Sequence, residues 1–160
     1  MTIRRDPNGQ PMTIGFNGSE HFFLYNAQGD VVAIANYSGE IVVEYTYDAW
    51  GSVLTAEGTL AQQNPIRYRG YYFDTETSLY YLQSRYYDSA VGRFINADGY
   101  TSTDANGLLS ANMFAYCENN PISRFDPEGT DWRDAATFGL VVAGVGLLIL
   151  ATLPFSGPLL

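Results

Sequence analysis

Cysteine and histidine, on which much metal and nucleophilic chemistry depends, each occur once in this sequence. Cys117 and His21 lie far apart, so the chain can form neither an internal disulfide nor a Cys/His zinc site, and we predict no metal and no cofactor. A Ser-His-Asp triad would need His21, which lies in an aromatic, strand-like run and is better explained as a packed or surface residue. Cys117 lies in a segment predicted to be a short helix, where we expect a buried thiol.

Carboxylates are the remaining candidates for acid–base chemistry. Two carboxylates held a few ångströms apart cannot both ionise, so they share a proton, and one then acts as a base on water while the other acts as an acid. One acidic motif is Asp126-Pro-Glu-Gly129. The same pattern suits a type I turn, and Asp6-Pro-Asn-Gly9 fits that turn equally well. The four-residue motif alone therefore does not separate a catalytic residue from a turn residue.

The charge balance argues against nucleic acid as a partner. The 160-residue chain carries 17 acidic and 8 basic residues, giving a net charge of -9, and all of its basic residues are arginines. So acidic a chain is repelled by phosphate backbones, and we expect no nucleic-acid binding by this chain. Its length has room for one domain with a sizeable core.

A repeat indicates how the first half of the chain is organised. Tyr25-Asn-Ala-Gln-Gly-Asp-Val-Val32 aligns with Tyr47-Asp-Ala-Trp-Gly-Ser-Val-Leu54 at a spacing of 22 residues. The residues between are rich in β-branched and aromatic types, and a turn-like segment at 36–40 divides them. This pattern predicts a repeating hairpin whose apolar face is buried by pairing or stacking with its neighbours. An ordinary antiparallel sheet with chance similarity between its turns is the alternative.

The stretch from Arg69 to Phe94 alternates aromatic strand formers with polar residues and is punctuated by Tyr-Asp and Gly. Such alternation is typical of short, half-buried strands joined by tight turns. We therefore predict antiparallel strands from about residue 20 to residue 100, with Gly29, Gly51 and Gly92 at or near turns.

These motifs occur in the order found in the Rhs/YD-repeat family. Tyr47-Asp-Ala-Trp-Gly51 precedes the stretch 69–94, and Asn120-Pro121 and Asp126-Pro-Glu-Gly129 follow it. Residues of about 15–129 thus resemble the C-terminal repeat-associated core of a bacterial polymorphic toxin. The resemblance implies an all-β fold in which antiparallel β-hairpin repeats form part of a spiral β-cage shell around a C-terminal payload, with a core segment that seals one end.

The resemblance further implies three regions: YD-repeat hairpins at 1–64, the repeat-associated core at 65–130 and a truncated variable tail at 131–160. The partners it implies are the remainder of the shell and the payload. It also implies a full-length bacterial parent that is secreted or at the cell surface. Residues 1–10 contain two arginines but no apolar run behind them, so we predict no signal peptide in this chain.

The family's core is often a self-cleaving aspartyl protease, and its motifs assign the catalytic residues here. One aspartate follows the Gly-Arg-Phe segment, a second lies in the Asp-Pro-x-Gly motif, and an arginine comes from the Arg-Tyr-Tyr-Asp segment. These positions are Asp98, Asp126 and Arg85. A guanidinium beside a carboxylate pair favours its ionised member and orients the scissile carbonyl. As turn and strand residues, the three would have no catalytic role.

The same resemblance places the cleavage near Thr130-Asp131. Two positions depart from the family pattern, because the family usually has proline after the first aspartate and leucine before the cut. This chain has Gly99 and Thr130 there. These departures bear directly on whether the chain cuts itself.

The last 26 residues, 135–160, contain no charged side chain. As a helix, residues Ala135 to Leu153 would be about 28 Å long, close to the roughly 30 Å core of a bilayer. We predict a hydrophobic C-terminal helix that contacts a membrane, is buried inside the parent shell, or begins the payload.

The sequence leaves three functions open for the chain. The first is a shell fragment that encapsulates a toxin and releases it by self-cleavage. The second is a non-cleaving surface or adhesion module whose exposed tyrosines stack on sugars, and the third is a non-functional truncated remnant.

Overall fold

The computed structural model describes residues 1–97, 112–130 and 132–134. Within these ranges the chain is built from antiparallel β-strands in three sheets. The first sheet contains, in chain order, β1 (Thr2–Arg5), β2 (Pro11–Phe16), β3 (Ser19–Tyr25), β4 (Val31–Asn36), β5 (Ile41–Tyr47) and β6 (Val53–Glu57). The second contains β7 (Tyr72–Asp74), β8 (Leu79–Leu82), β9 (Arg85–Asp88) and β10 (Arg93–Phe94), and the third pairs β11 (Arg124–Phe125) with β12 (Arg133–Asp134).

The predicted all-β fold is confirmed, because each strand pairs with its neighbour along the chain as in a series of hairpins. The Tyr-rich stretch from Arg69 to Phe94 forms the second sheet, as its alternating pattern indicated. In the described ranges the only helical elements are two 3-10 turns, Tyr68–Gly70 and Cys117–Asn119. The predicted short helix near Cys117 is thus a single 3-10 turn, and all three of its residues have positive φ.

A common turn makes four of the five connections between strands of the first sheet. In four turns the side-chain oxygen of an Asp or Asn accepts the backbone N–H groups two and four residues later. The third following residue is a glycine with φ between 82° and 91°, a left-handed conformation that glycine adopts without steric cost. These turns are Asp6–Gln10, Asn26–Asp30, Asn36–Glu40 and Asp48–Ser52. The predicted turns at Gly29 and Gly51 are confirmed, and Gly92 also lies in a turn.

The tyrosine of the repeat joins successive hairpins. The Tyr25 hydroxyl donates to the Pro11 carbonyl at 2.5 Å, and the Tyr47 hydroxyl donates to the Val31 carbonyl at 2.8 Å. Pro11 directly follows the Asp6–Gln10 turn and Val31 directly follows the Asn26–Asp30 turn, so each tyrosine binds the first residue after a common turn. The 22-residue spacing therefore reflects a structural repeat and not a chance similarity between turns.

The second sheet packs on the turn that ends the repeat. Hydroxyls of Tyr68, Tyr87 and Tyr80 donate to three successive carbonyls, those of Ala49, Trp50 and Gly51, at 3.0, 2.7 and 2.9 Å. These tyrosines belong to a buried cluster that also contains Tyr71, Leu82, Phe94, Tyr116 and Cys117. Satisfied hydroxyls allow so aromatic a core to be buried, because an unpaired buried hydroxyl would be costly.

Within the described residues, no helix has both the length and the apolar character needed to cross a membrane. The predicted hydrophobic helix, Ala135 to Leu153, lies outside the described residues.

Two glycines in equivalent turns give a matched test of this packing. A Cβ at Gly51 would lie 2.5 Å from Cδ1 of Tyr68, whereas a Cβ at Gly39 would meet nothing within 4 Å, and both residues have positive φ. Gly39→Ala should cost about 1 kcal/mol from backbone strain alone. Gly51→Ala should cost about 1–3 kcal/mol more, because a ring must also move. Urea unfolding of the full chain measures both, and equal losses would show that the turn does not support the second sheet.

Candidate functional site

Two of the three predicted catalytic residues meet in the structure. Arg85 is the first residue of β9, and Asp126 directly follows β11. Arg85 Nη2 lies 3.3 Å from Asp126 Oδ2, and the side chains are only 7% and 3% exposed. Asp98 lies outside the described residues, so the predicted pairing of its carboxylate with that of Asp126 stays a prediction.

The β8–β9 hairpin directs the Arg85 side chain inward. Leu82 pairs with Arg85 across a two-residue turn, and alternation along β9 then buries Arg85 and Tyr87 while Tyr86 faces outward. The guanidinium carbon lies 3.6 Å from the centre of the Phe94 ring, and Nη1 donates to the Met113 carbonyl at 3.1 Å. Ring contact and hydrogen bonds offset the cost of removing this charge from water.

Asp126 forms a turn that differs from those of the repeat. Its Oδ1 accepts the N–H groups of Gly129 and Thr130, three and four residues later, at 2.7 and 3.0 Å. Asp6, in the similar Asp-Pro-x-Gly motif, accepts from residues two and four later, as the other repeat turns do. The two motifs share a sequence pattern but not a structure, and Asp126 is the one bonded to a buried arginine.

The Arg85 guanidinium also binds the backbone next to the predicted cleavage position. Its Nε donates to the Gly129 carbonyl oxygen. The Ser84 hydroxyl oxygen lies 2.7 Å from that same oxygen and 2.7 Å from the carbonyl oxygen of Glu128. Gly129 has a φ of +72°, and a Cβ there would lie 2.7 Å from the Leu82 carbonyl oxygen. The chain can approach the β8–β9 turn this closely because residue 129 is a glycine.

Thr130, the first residue of the predicted cleavage site, is therefore held through its amide by Asp126. The second residue, Asp131, lies outside the described residues. The structure accordingly brings together Arg85, Asp126 and Thr130, and it leaves the positions of Asp98 and Asp131 open.

A pair of buried tyrosines supports Asp126 from the other side. The Asp126 N–H donates to the Tyr71 hydroxyl at 3.1 Å, and the Tyr71 and Tyr116 hydroxyl oxygens lie 3.0 Å apart. Burial raises the pKa of both tyrosines well above the ordinary value. Burial also raises the pKa of the neighbouring Cys117 thiol to about 12. Cys117 is buried as expected, and its protonated thiol is a poor nucleophile.

A second buried ion pair connects the first sheet to the segment before Asp126. Arg69 Nε lies 3.6 Å from Asp30 Oδ1, and both side chains are almost fully buried. The Arg69 guanidinium also donates to the carbonyls of Gln28 and Pro121. Residue 121 is thereby fixed against the Asn26–Asp30 turn. No group of three or more His, Cys, Asp and Glu side chains among the described residues is arranged to hold a metal ion.

Sequence reasoning identified Arg85 and Asp126 but missed the residues that hold them. Ser84 is a lone serine in a hairpin turn, and nothing in its neighbourhood distinguishes it from other turn serines. Asp30 occupies the position at which the other repeat turns have Gln10, Glu40 and Ser52. That difference is a weak signal for a special contact, and only the fold shows that the contact is with Arg69.

Comparison with known proteins identifies the class of β-shell that this geometry represents. The family model of the Teneurin YD-shell matches residues 1–122, so the chain belongs to the YD-shell family, and the resemblance to Rhs/YD repeats is confirmed. A crystal structure of TcdB2-TccC3-Cdc42 is similar with a TM-score of 0.63 and 26% identity, covering 81% of this chain and 6% of that chain. The likeness agrees with the β-cage architecture expected from the sequence.

Two curated relatives are much longer than this chain. The tRNA3(Ser)-specific nuclease WapA of Bacillus spizizenii is 42% identical over 123 residues, which are 76% of this chain and 5% of the relative. The double-stranded DNA deaminase toxin A of Burkholderia cenocepacia is 38% identical over 99 residues, which are 60% of this chain and 6% of the relative. The chain therefore spans about a twentieth of the length of these proteins.

Because buried hydroxyls and a buried thiol resist ionisation, we predict that the protein loses stability at alkaline pH. Burial raises the pKa of Tyr68 and of Cys117 to about 12, from ordinary values of 10.0 and 9.0. The unfolded chain therefore loses these protons first, so their contribution to stability is complete below about pH 9 and is lost as the pH rises toward 12. Each group should reduce the free energy of unfolding by about 1.4 kcal/mol per pH unit inside its window.

Urea unfolding at a series of pH values, with tyrosinate absorbance recorded in parallel, measures the effect. Most tyrosinate should appear together with the loss of β-sheet signal. Full tyrosine ionisation in a chain that stays folded would contradict the burial of these hydroxyls.

Proposed function

We propose that this chain is a shell segment that cuts its own backbone near Thr130-Asp131 and thereby separates the shell from a C-terminal payload in the full-length parent. One observation carries the proposal: the buried Arg85 guanidinium binds both the Asp126 carboxylate and the Gly129 carbonyl. A catalytic carboxylate candidate and the backbone beside the cut are thereby joined by one side chain.

The chemistry would be hydrolysis by a carboxylate pair. Arg85 and two backbone N–H groups donate to Asp126, and such donors favour its ionised form. Asp126 is then the base that removes a proton from water, and Asp98 is the acid. The water oxygen adds to the Thr130 carbonyl carbon, the bond to the Asp131 nitrogen breaks, and that nitrogen receives a proton.

The relatives support a role in the shell and not in the payload. Two of them are named for different activities, a tRNA nuclease and a double-stranded DNA deaminase, yet each matches more than half of this chain. A segment shared by proteins with different activities is more consistent with a shell than with the domain that carries the activity. The net charge of -9 agrees with this assignment, because a nucleic-acid-binding payload needs basic surface.

The proposal also includes the regions, partners and location that the family resemblance implies. Residues 1–64 would be repeat hairpins, 65–130 the core and 131–160 the start of the variable tail. The partners would be the rest of the shell and the payload, with membrane contact through Ala135 to Leu153. The parent would be a secreted or cell-surface bacterial protein. We infer these points from the family and the sequence.

Expression of the full 160-residue chain tests the proposal. The purified product should have the mass of a chain that ends at Thr130, and Asp98→Asn or Asp126→Asn should each leave the chain intact, because either change removes one member of the proton-sharing pair. Intact-mass measurement on freshly made protein distinguishes the cut chain from the uncut chain in every variant.

Asp6→Asn is the matched control, since Asp6 has the same Asp-Pro-x-Gly context but lies in a repeat turn. This variant should still be cut. An uncut wild-type chain would overturn the proposal, and so would cutting that survives in Asp126→Asn.

A second candidate, a non-cleaving surface module, is favoured by one different observation. Tyr72, Tyr81 and Tyr86 are opposite one another across β7, β8 and β9, and they are 47%, 41% and 39% exposed. Such a row of rings is suited to stacking on sugars. The surface-module function would be supported if the wild-type chain stays uncut and binds a glycan array, and if Tyr81→Ser abolishes that binding. Absence of glycan binding would remove it.

A further inference from the structure

The β8–β9 turn makes several hydrogen bonds to the Asp126–Thr130 segment. Gln83 and Ser84 form this two-residue turn, and both reach across to that segment. Gln83 Nε2 donates to the Pro127 carbonyl at 3.4 Å, and the Ser84 N–H donates to the Glu128 carbonyl at 3.3 Å. Three successive carbonyls, those of residues 127, 128 and 129, are thus bound by one hairpin turn.

The Ser84 hydroxyl approaches the Glu128 carbonyl more closely than the Ser84 N–H does, and it shares the Gly129 carbonyl with Arg85. Its hydroxyl oxygen lies 2.7 Å from each of the two carbonyl oxygens, so its single proton is donated to one of them at a time or shared between the two. Arg85 binds Gly129 as well, but it is a long, charged side chain that also holds Asp126. A short hydroxyl on a tight hairpin has little freedom, so it fixes the carbonyl direction more strictly.

The backbone held in this way lies immediately before the predicted cut. The Gly129 peptide unit is bound at its carbonyl by Ser84 and Arg85 and at the next N–H by Asp126. Rotation of that unit would turn the following Thr130 carbonyl away from any attacking group. A positioned peptide gains reactivity because the entropy of alignment is already lost.

We propose that Ser84 is a positioning residue for self-cleavage, holding the Glu128 and Gly129 carbonyls so that the Thr130 carbonyl is presented in one orientation. This inference depends on the proposed function, since it concerns the rate of the same reaction. Ser84 does not exchange a proton with the reacting atoms. Its removal should slow the cut without abolishing it.

The test compares the rate at which newly made chain converts to the cut form. Full-length wild type and Ser84→Ala are synthesised in a cell-free system, and intact and cut chains are quantified over time. Ser84→Ala should be cut about tenfold more slowly, which corresponds to one lost hydrogen bond of about 1.4 kcal/mol. Ser84→Thr, which keeps the hydroxyl, should restore most of the rate.

Two further measurements separate positioning from general damage. Ser38→Ala, in the exposed turn between β4 and β5, should be cut at the wild-type rate. The urea midpoints of Ser84→Ala and Ser84→Thr, each measured in an Asp98→Asn chain to keep it intact, should differ little. Slow cutting of Ser84→Ala with a normal midpoint and rescue by threonine supports the inference.

Failure of the inference is distinguishable from failure of the proposed function. If wild type is cut and Ser84→Ala is cut at the same rate, Ser84 has no positioning role while self-cleavage stands. Equal slowing in the alanine and threonine variants would likewise overturn it. If wild type itself stays intact, the cleavage proposal fails, and the role of Ser84 fails with it.

Discussion

The structure of the site depends on how one buried guanidinium is neutralised and hydrogen-bonded. Arg85 is removed from water, and a buried charge is tolerated only when its donors are satisfied. Its partners come from parts of the chain far apart in sequence: Phe94, Met113, Asp126 and Gly129. The segment 112–130 is thereby fixed against the second sheet. The short β11 strand and the turn after it are placed by this residue more than by their local sequence.

Arg69 is a second buried arginine that holds distant segments together, in this case at the first sheet. It binds Asp30 in a repeat turn and the carbonyl of Pro121, so it connects the first sheet to the segment that leads to Asp126. The two arginines, together with Tyr71, whose hydroxyl accepts the Asp126 N–H, provide a buried polar support inside an aromatic core. A buried support of this kind gives a defined geometry because each group has specific partners.

Local sequence predicted much of the fold. Alternation identified the strands of the 69–94 stretch, and the Tyr, Asn/Asp and Gly spacing identified the repeat, because each position has a local role: a hydroxyl donor, a turn acceptor and a positive-φ residue. Arg85 and Asp126 were located by motif. Neither local pattern nor motif identified Ser84 or Asp30, since their partners are 44 and 39 residues away in the chain. Contacts over such distances depend on how whole sheets pack, and no local periodicity encodes that packing.

Arg85 and Asp126 act as one unit in the proposed site, and a double-mutant cycle tests this most directly. Arg85→Met, Asp126→Asn and the double variant are compared by urea unfolding in an Asp98→Asn chain, which keeps the protein uncut. Each single change should cost about 3 kcal/mol, because it removes the charged partner of a buried ion. The double variant should be more stable than the sum predicts by at least about 1 kcal/mol. Losses that add to within about 0.5 kcal/mol would show two independent residues, and the proposed site would then lose its physical basis.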